Sequence, residues 1–210
     1  MRASQLGWVL SAAIVGVTLG GGFQAKTNKS GWIDMQAIYG ESALKAKNDG
    51  RLQTATQVRR DAIDFLRLNP GFTDEQLIRY KALSIKESRT PADITELTKL
   101  KADAQAATNR FDELRKKPNA SSQELKDLDA LAAINESNKR AATVWAQECT
   151  QQMDTMQADL NASSIESMRT AIAQVAKAQG FSLVFRENVA PYGSNNLGPD
   201  VKKIVDKNAK

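Results

Sequence analysis

Enzymatic chemistry needs nucleophiles, bases or metal ligands, and this chain is poor in the most useful of them. It has no histidine, and Cys149 is its only cysteine. A Ser-His or Cys-His couple is therefore excluded, as is a His/Cys metal cluster. No disulfide can close within the chain. Carboxylates and lysines are plentiful, yet acid–base work by such groups needs a cleft that sets their pKa values apart. No spacing in the sequence suggests one. The expectation is a non-enzymatic protein with no cofactor and no metal. Cys149 reads as a small core residue, with a redox or intermolecular role as the alternative. Function then falls to apolar groups near the two ends of the chain and to one cationic cluster, Arg110, Arg115, Lys116 and Lys117.

The elements that must position these groups are mostly helices. Only 6% of the residues are aromatic, and Ala, Gln, Lys and Glu are dense over residues 70–165. Such a composition suits long exposed helices better than a round core, so an elongated molecule is expected. The net charge of +5 serves solubility or favours anionic partners such as acidic unfolded chains and lipid head groups. No aromatic–basic interleaving supports nucleic-acid binding.

Arg2 precedes an apolar run from Leu6 to Leu19, followed by Gly20, Gly21, Gly22 and Ala25. A basic start, an apolar middle and small residues at the exit read as an export signal over 1–25. Residues 6–23 just reach the length of a spanning helix, so an uncleaved anchor is the alternative. In either case the rest of the chain is expected outside the cytoplasm, where a protein without disulfides must be held by packing or oligomerisation.

Beyond the leader, Trp32, Ile33 and Met35 predict a short strand within 26–40, and Asp34 can cap a helical turn holding Ile38 and Tyr39. From Ser42 the apolar spacing turns helical until Asn69-Pro70-Gly71. Thr73 caps a short helix over about 73–88, and Thr90-Pro91 starts the next. Along that helix Leu97, Leu100, Ala104, Ala107, Phe111 and Leu114 alternate spacings of three and four, a heptad seam. Pro118 breaks it, and Ser121 with Glu124 forms a capping box. No further breaker occurs before Gly180.

The long helix carries its own seam through Leu128, Leu131, Asn135, Asn138, Ala142, Trp145 and Cys149, on to Leu160. The preceding helix, folded back at Pro118, is its expected partner, with the two asparagines setting register. Phe72, Tyr80 and Leu83 near the breaks either pack the kink or meet a ligand. After Gly180, strands are expected at 181–186 and 188–191, then a helix over 200–208 with Val201, Ile204 and Val205 as its apolar stripe.

The fold class is therefore α+β, mostly α: a small β body made by both chain ends (26–40 and 181–210), with a long antiparallel helical hairpin arm over 41–180, broken near 69–72, 89–91 and 118–120. Two or three short strands make a sheet too small to stand alone. Several copies are expected to pool them through Trp32, Ile33, Met35, Phe181, Leu183, Val184, Phe185, Val189 and Tyr192.

Two segments, SGWIDMQAIYGESALKAK and IAQVAKAQGFSLVFRENVAPYGSNNLGPDVKKIVDKNAK, resemble the first strand with its step into the arm helix, and the closing part, of the Skp/OmpH family of periplasmic chaperones. This chain has Ala43 where a proline often follows the Glu-Ser step, and Asn196-Leu197-Gly198-Pro199 where an acidic-Ile-Thr step is common. Its middle is also longer. The resemblance implies a periplasmic homotrimer whose three arms surround a cavity for unfolded outer-membrane proteins, without ATP. The cluster at Arg110, Arg115, Lys116 and Lys117 would then meet clients or an anionic lipid or lipopolysaccharide surface. Otherwise it is a solvated helix end, where cations are favoured in any case. The alternative reading is a membrane-tethered coiled-coil scaffold of the cell envelope.

Overall fold

A computed structural model describes residues 29–189 and 195–209. The expected leader, Tyr192 and part of the expected strand over 188–191 lie outside the described residues. The elements run β1 (Ser30–Ile33), α1 (Met35–Gly40), α2 (Ala43–Leu68), α3 (Asp74–Ser84), α4 (Pro91–Lys116), α5 (Ser122–Gln179), β2 (Leu183–Arg186) and α6 (Gly198–Asn208). The fold is mostly helical α+β, as the composition implies.

Side-chain caps set the helix boundaries. Asp34 ends β1 because its carboxylate accepts the Gln36 and Ala37 N–H groups and so starts α1 at Met35. Met35 therefore belongs to a helix, not to the expected strand. Thr73 and Gln76 form a capping box at α3, Thr90 and Asp93 another at α4, and Ser121 and Glu124 a third just before α5. Each satisfies N–H groups that a helix start leaves orphaned. The α3–α4 link is tied by Arg89, which donates to the carbonyls of Leu83 (2.7 Å) and Ser84 at the end of α3. Gly180 ends α5 with φ +74°, a left-handed conformation that a Cβ would strain.

The chain divides into two compact units, one formed by both ends up to Lys47 and from Ala162, the other by Asn48–Asn161. In the terminal unit β1 and β2 pair in parallel, with Trp32 beside Phe185 and Ile33 beside Arg186. Trp32 also exchanges backbone bonds with the 195–197 segment: its N–H donates to the Asn195 carbonyl (2.8 Å), and its carbonyl accepts from Leu197 (3.0 Å). The described part of the expected strand over 188–191 is a turn, closed by the Val189 N–H on the Arg186 carbonyl (2.9 Å). Below the sheet Ile33, Ile38, Met168, Ala171, Val175, Leu197, Val201 and Val205 form a core. Helix α6 is pinned to α2 by Asp206, whose carboxylate accepts the Ala43 N–H (2.7 Å), and by Lys47, which donates to the Ala209 carbonyl (2.9 Å).

In the other unit the end of α2, all of α3, the first half of α4 and the middle of α5 share a second core around Leu66, Phe72, Tyr80, Leu83, Ala104 and Trp145. Phe72 and Tyr80 stack at 4.6 Å between ring centroids, and Trp145 meets Tyr80 edge-on at 6.2 Å. Thus Phe72, Tyr80 and Leu83 pack the kink. The expectation that α4 is the partner of α5 holds only in part. Near the bend Arg110 of α4 reaches Glu124 of α5, but Trp145 and Cys149 pack on α2 and α3 as well. The breaks at 69–73 and 85–90 allow this, because they bring α3 into the bundle as a further layer. Gly71 is the close approach that permits it: a Cβ there would run into the Ala104 carbonyl and come within 2.8 Å of the Ala107 Cβ.

Truncating Trp145, which is 1% exposed, to alanine should cost about 3–5 kcal/mol. Val144→Ala, on the exposed side of the same turn, should stay within about 0.5 kcal/mol. Urea unfolding followed by circular dichroism measures both; equal losses would contradict the packing described.

Candidate functional surfaces

Register decides what the sheet presents. Residues paired across a parallel ladder share a face, and neighbours along a strand alternate. One face carries Gly31, Ile33, Val184 and Arg186, and it lies on the core. Gly31 is required there because a Cβ would collide with the Leu197 side chain. The opposite face carries Trp32, Leu183 and Phe185, and Leu183 and Phe185 remain 38% and 36% exposed. Val189 follows in the turn at 64%. Among the described residues β2 has a strand neighbour, β1, on one side only, so its other edge keeps backbone groups available for a further strand.

The nine residues expected at an assembly surface therefore divide. Ile33 belongs to the subunit's own core, and Met35, Phe181 and Val184 are partly buried against it. The Lys29 ammonium lies 4.1 Å above the Phe181 ring. Trp32, Leu183, Phe185 and Val189 form the accessible part, and Tyr192 lies outside the described residues. Leu197, at 1% exposure, is a core residue that the reading of the sequence did not single out. The signal that could have found it is the Gly31-Trp32 pair, since a glycine before a strand aromatic marks a close neighbour.

The cationic cluster also divides. Lys117 bonds Glu124 at 2.7 Å, and Arg110 lies 3.9 Å from the same carboxylate. Arg115 and Lys116 are exposed in the last turn of α4. Glu124 thus joins the two helices across the bend. The Lys117 ammonium, then the Ser121 N–H, hold its carboxyl down at about 2. At the other end of α4, the Lys86 ammonium (2.6 Å) and the Thr90 N–H and hydroxyl push Asp93 far below the usual carboxylate range.

Buried polar groups serve the arm core. Asn138, 1% exposed, donates its side-chain N–H to the Phe72 carbonyl (2.9 Å) and so ties α5 to the α2–α3 turn. Tyr80 donates to the Ala62 carbonyl (2.9 Å), and burial raises its phenol to about 12. Asn135 Oδ1 makes no hydrogen bond among the described residues. Cys149 is buried, and burial raises its thiol. Among the described residues no cluster of His, Cys, Asp or Glu is arranged to hold a metal, and no helix is long and apolar enough to cross a membrane.

These features define a class: a helical protein whose two chain ends close a small parallel sheet with an apolar outer face. A family model described as "Outer membrane protein (OmpH-like)" matches residues 81–205, from within α3 to within α6. That is more than half of the chain, and the chain belongs to the OmpH-like family. No curated protein and no solved structure matches it.

Because the Glu124 carboxyl titrates lower when folded than its ordinary 4.5, its contribution to the bend is complete above that value and is lost as pH falls towards about 2. Hydrogen-exchange protection of amides 117–125 should fall over that window. Glu124→Gln should lower protection at pH 7 and remove the pH dependence there. A bend equally protected at pH 7 and pH 2.5 would contradict this account.

Proposed function

We propose that this protein is an ATP-independent holdase chaperone of the periplasm. It assembles as a homotrimer through its sheets and keeps unfolded outer-membrane proteins in a cavity between its helical arms. The observation that carries the reading is the outer face of the β1–β2 sheet: an apolar patch of Trp32, Leu183 and Phe185 beside a strand edge with no described neighbour, in a chain of the OmpH-like family. Covering the rest of Phe185 and Leu183 adds on the order of 1 kcal/mol for each, and edge pairing adds backbone bonds. Holding a client needs no bond-making. Weak, repeated apolar and charged contacts suffice for a disordered chain, and many of them together outweigh any single one. Arg115 and Lys116 would add contacts to acidic clients or to an anionic lipid or lipopolysaccharide surface. Export through the N-terminal leader belongs to the same proposal.

Phe185→Asp should reduce the native mass measured by sedimentation to that of one chain without loss of helical content, because its face is not part of the subunit core. Ile33→Asp should unfold the terminal unit as well, since a buried unpaired charge costs several kcal/mol. A wild-type mass of one chain would refute the shared sheet. The assembled wild type should suppress aggregation of an unfolded β-barrel protein diluted from urea at one assembly per client, with no effect of added ATP. Unchanged turbidity would refute the holdase reading.

A further inference from the structure

Between α2 and α5 in the Asn48–Asn161 unit lies an open groove of about 340 Å³. Its floor is apolar: Ile63 and Cys149 are buried, and Met153 lies beside them. The α2 side contributes Arg59 and Arg60, which are neighbours on one turn, and Arg67, two turns beyond Arg60. Arg59 is fixed in place by the Ala55 carbonyl (3.2 Å) and Gln152 Oε1 (3.4 Å). Arg67 lies 3.5 Å from Asp64 and remains about half exposed. Arg60 is exposed and makes no ion pair among the described residues. Asp64 and Asp154 also line the groove, which leaves the cations one in excess over the anions.

We propose that this groove is a docking site for extended chain segments in which apolar and acidic residues alternate. The inference rests on the chaperone reading and names its preferred sequence class. Successive side chains of an extended segment point to opposite sides. One set can enter the apolar floor while the other stays at the level of the exposed guanidiniums. Met153 suits a varied occupant, because a thioether chain adapts its shape to different side chains. Guanidiniums pair with carboxylates in a forked geometry that ammonium groups lack. The mixed lining separates a peptide from a bilayer. A layer of anionic head groups would face Asp64 and Asp154 together with the arginines, and a flat surface cannot reach a floor recessed between two helices.

The test uses the full chain and two fluorescent peptides of equal length, one alternating Leu with Asp and the other alternating Leu with Lys, read by anisotropy at low salt. Wild type should prefer the acidic peptide. The double variant Arg60→Glu/Arg67→Glu should weaken that peptide roughly tenfold and improve binding of the basic one, with unchanged thermal unfolding because both side chains are exposed. Met153→Ala, which removes apolar floor without adding charge, should weaken both peptides. Equal binding of the two peptides by wild type, or an unchanged preference in the double variant, overturns the proposal. So does a double variant that loses binding to phosphatidylglycerol vesicles while keeping its peptide affinities, which would make the groove a lipid site. If the acidic preference and its reversal are found but wild type does not suppress aggregation of the unfolded β-barrel protein, the groove stands and the holdase reading falls. If suppression is intact and the peptides are not distinguished, the reverse holds.

Discussion

The parallel pairing of β1 with β2 is the constraint on which the rest depends. A parallel ladder cannot be closed by a tight turn; its strands need a crossover that travels out and returns. Here the crossover contains α1 to α5. Closing so long a loop carries an entropic cost that grows only slowly with length, but it must still be offset. Four strand residues on each side cannot do this alone. The helices seated beneath them can: Val175 of α5 and Val201 and Val205 of α6 are almost fully buried against Ile33. The sheet is thus the place where the ends meet, while most of the burial that holds them there comes from helices.

A second core solves a different problem. Long helices with small apolar residues bury little surface when they meet along a single seam. Folding α3 back between the breaks at 69–73 and 85–90 brings Phe72 and Tyr80 against Trp145 and concentrates the large side chains at one level. Two polar groups there close contacts between elements: Asn138 donates to the Phe72 carbonyl and Tyr80 to the Ala62 carbonyl. These bonds fix how the segments line up, because a shifted register would leave buried donors without partners.

Surfaces carry what remains. The face of the sheet turned away from the core is apolar, and the groove between α2 and α5 combines an apolar floor with arginines. The bend at Pro118, where the cations cluster, is partly neutralised by Glu124. Charge that looks free in the sequence is therefore partly spent on holding α4 to α5, and the exposed remainder is Arg115 and Lys116. Each surface can bind without changing a covalent bond, in keeping with a chain that has no histidine and a single buried thiol.

The amino-acid sequence by itself determined the local events. Thr73, Thr90 and Ser121 start helices, Pro70 and Pro118 interrupt them, and Gly180 ends the last long one. Caps and breakers act over four residues or fewer, so their outcome is written in neighbouring letters. It also carried the union of the two ends, since each held a strand with no local partner. Tertiary structure decided which helix faces meet. The seam of α5 predicted a partner but could not say that Trp145 would lie on Tyr80 of α3 as well as near α4, because an apolar stripe specifies a direction and not a neighbour. It also decided that Asp34 would end β1 before Met35, and that Leu197 would be core, since only the approach of the 195–197 segment to Trp32 gives that leucine a place to be buried. Likewise, the division of the expected assembly residues between inner and outer faces follows from register, which is settled only when both strands and the layer beneath them come together.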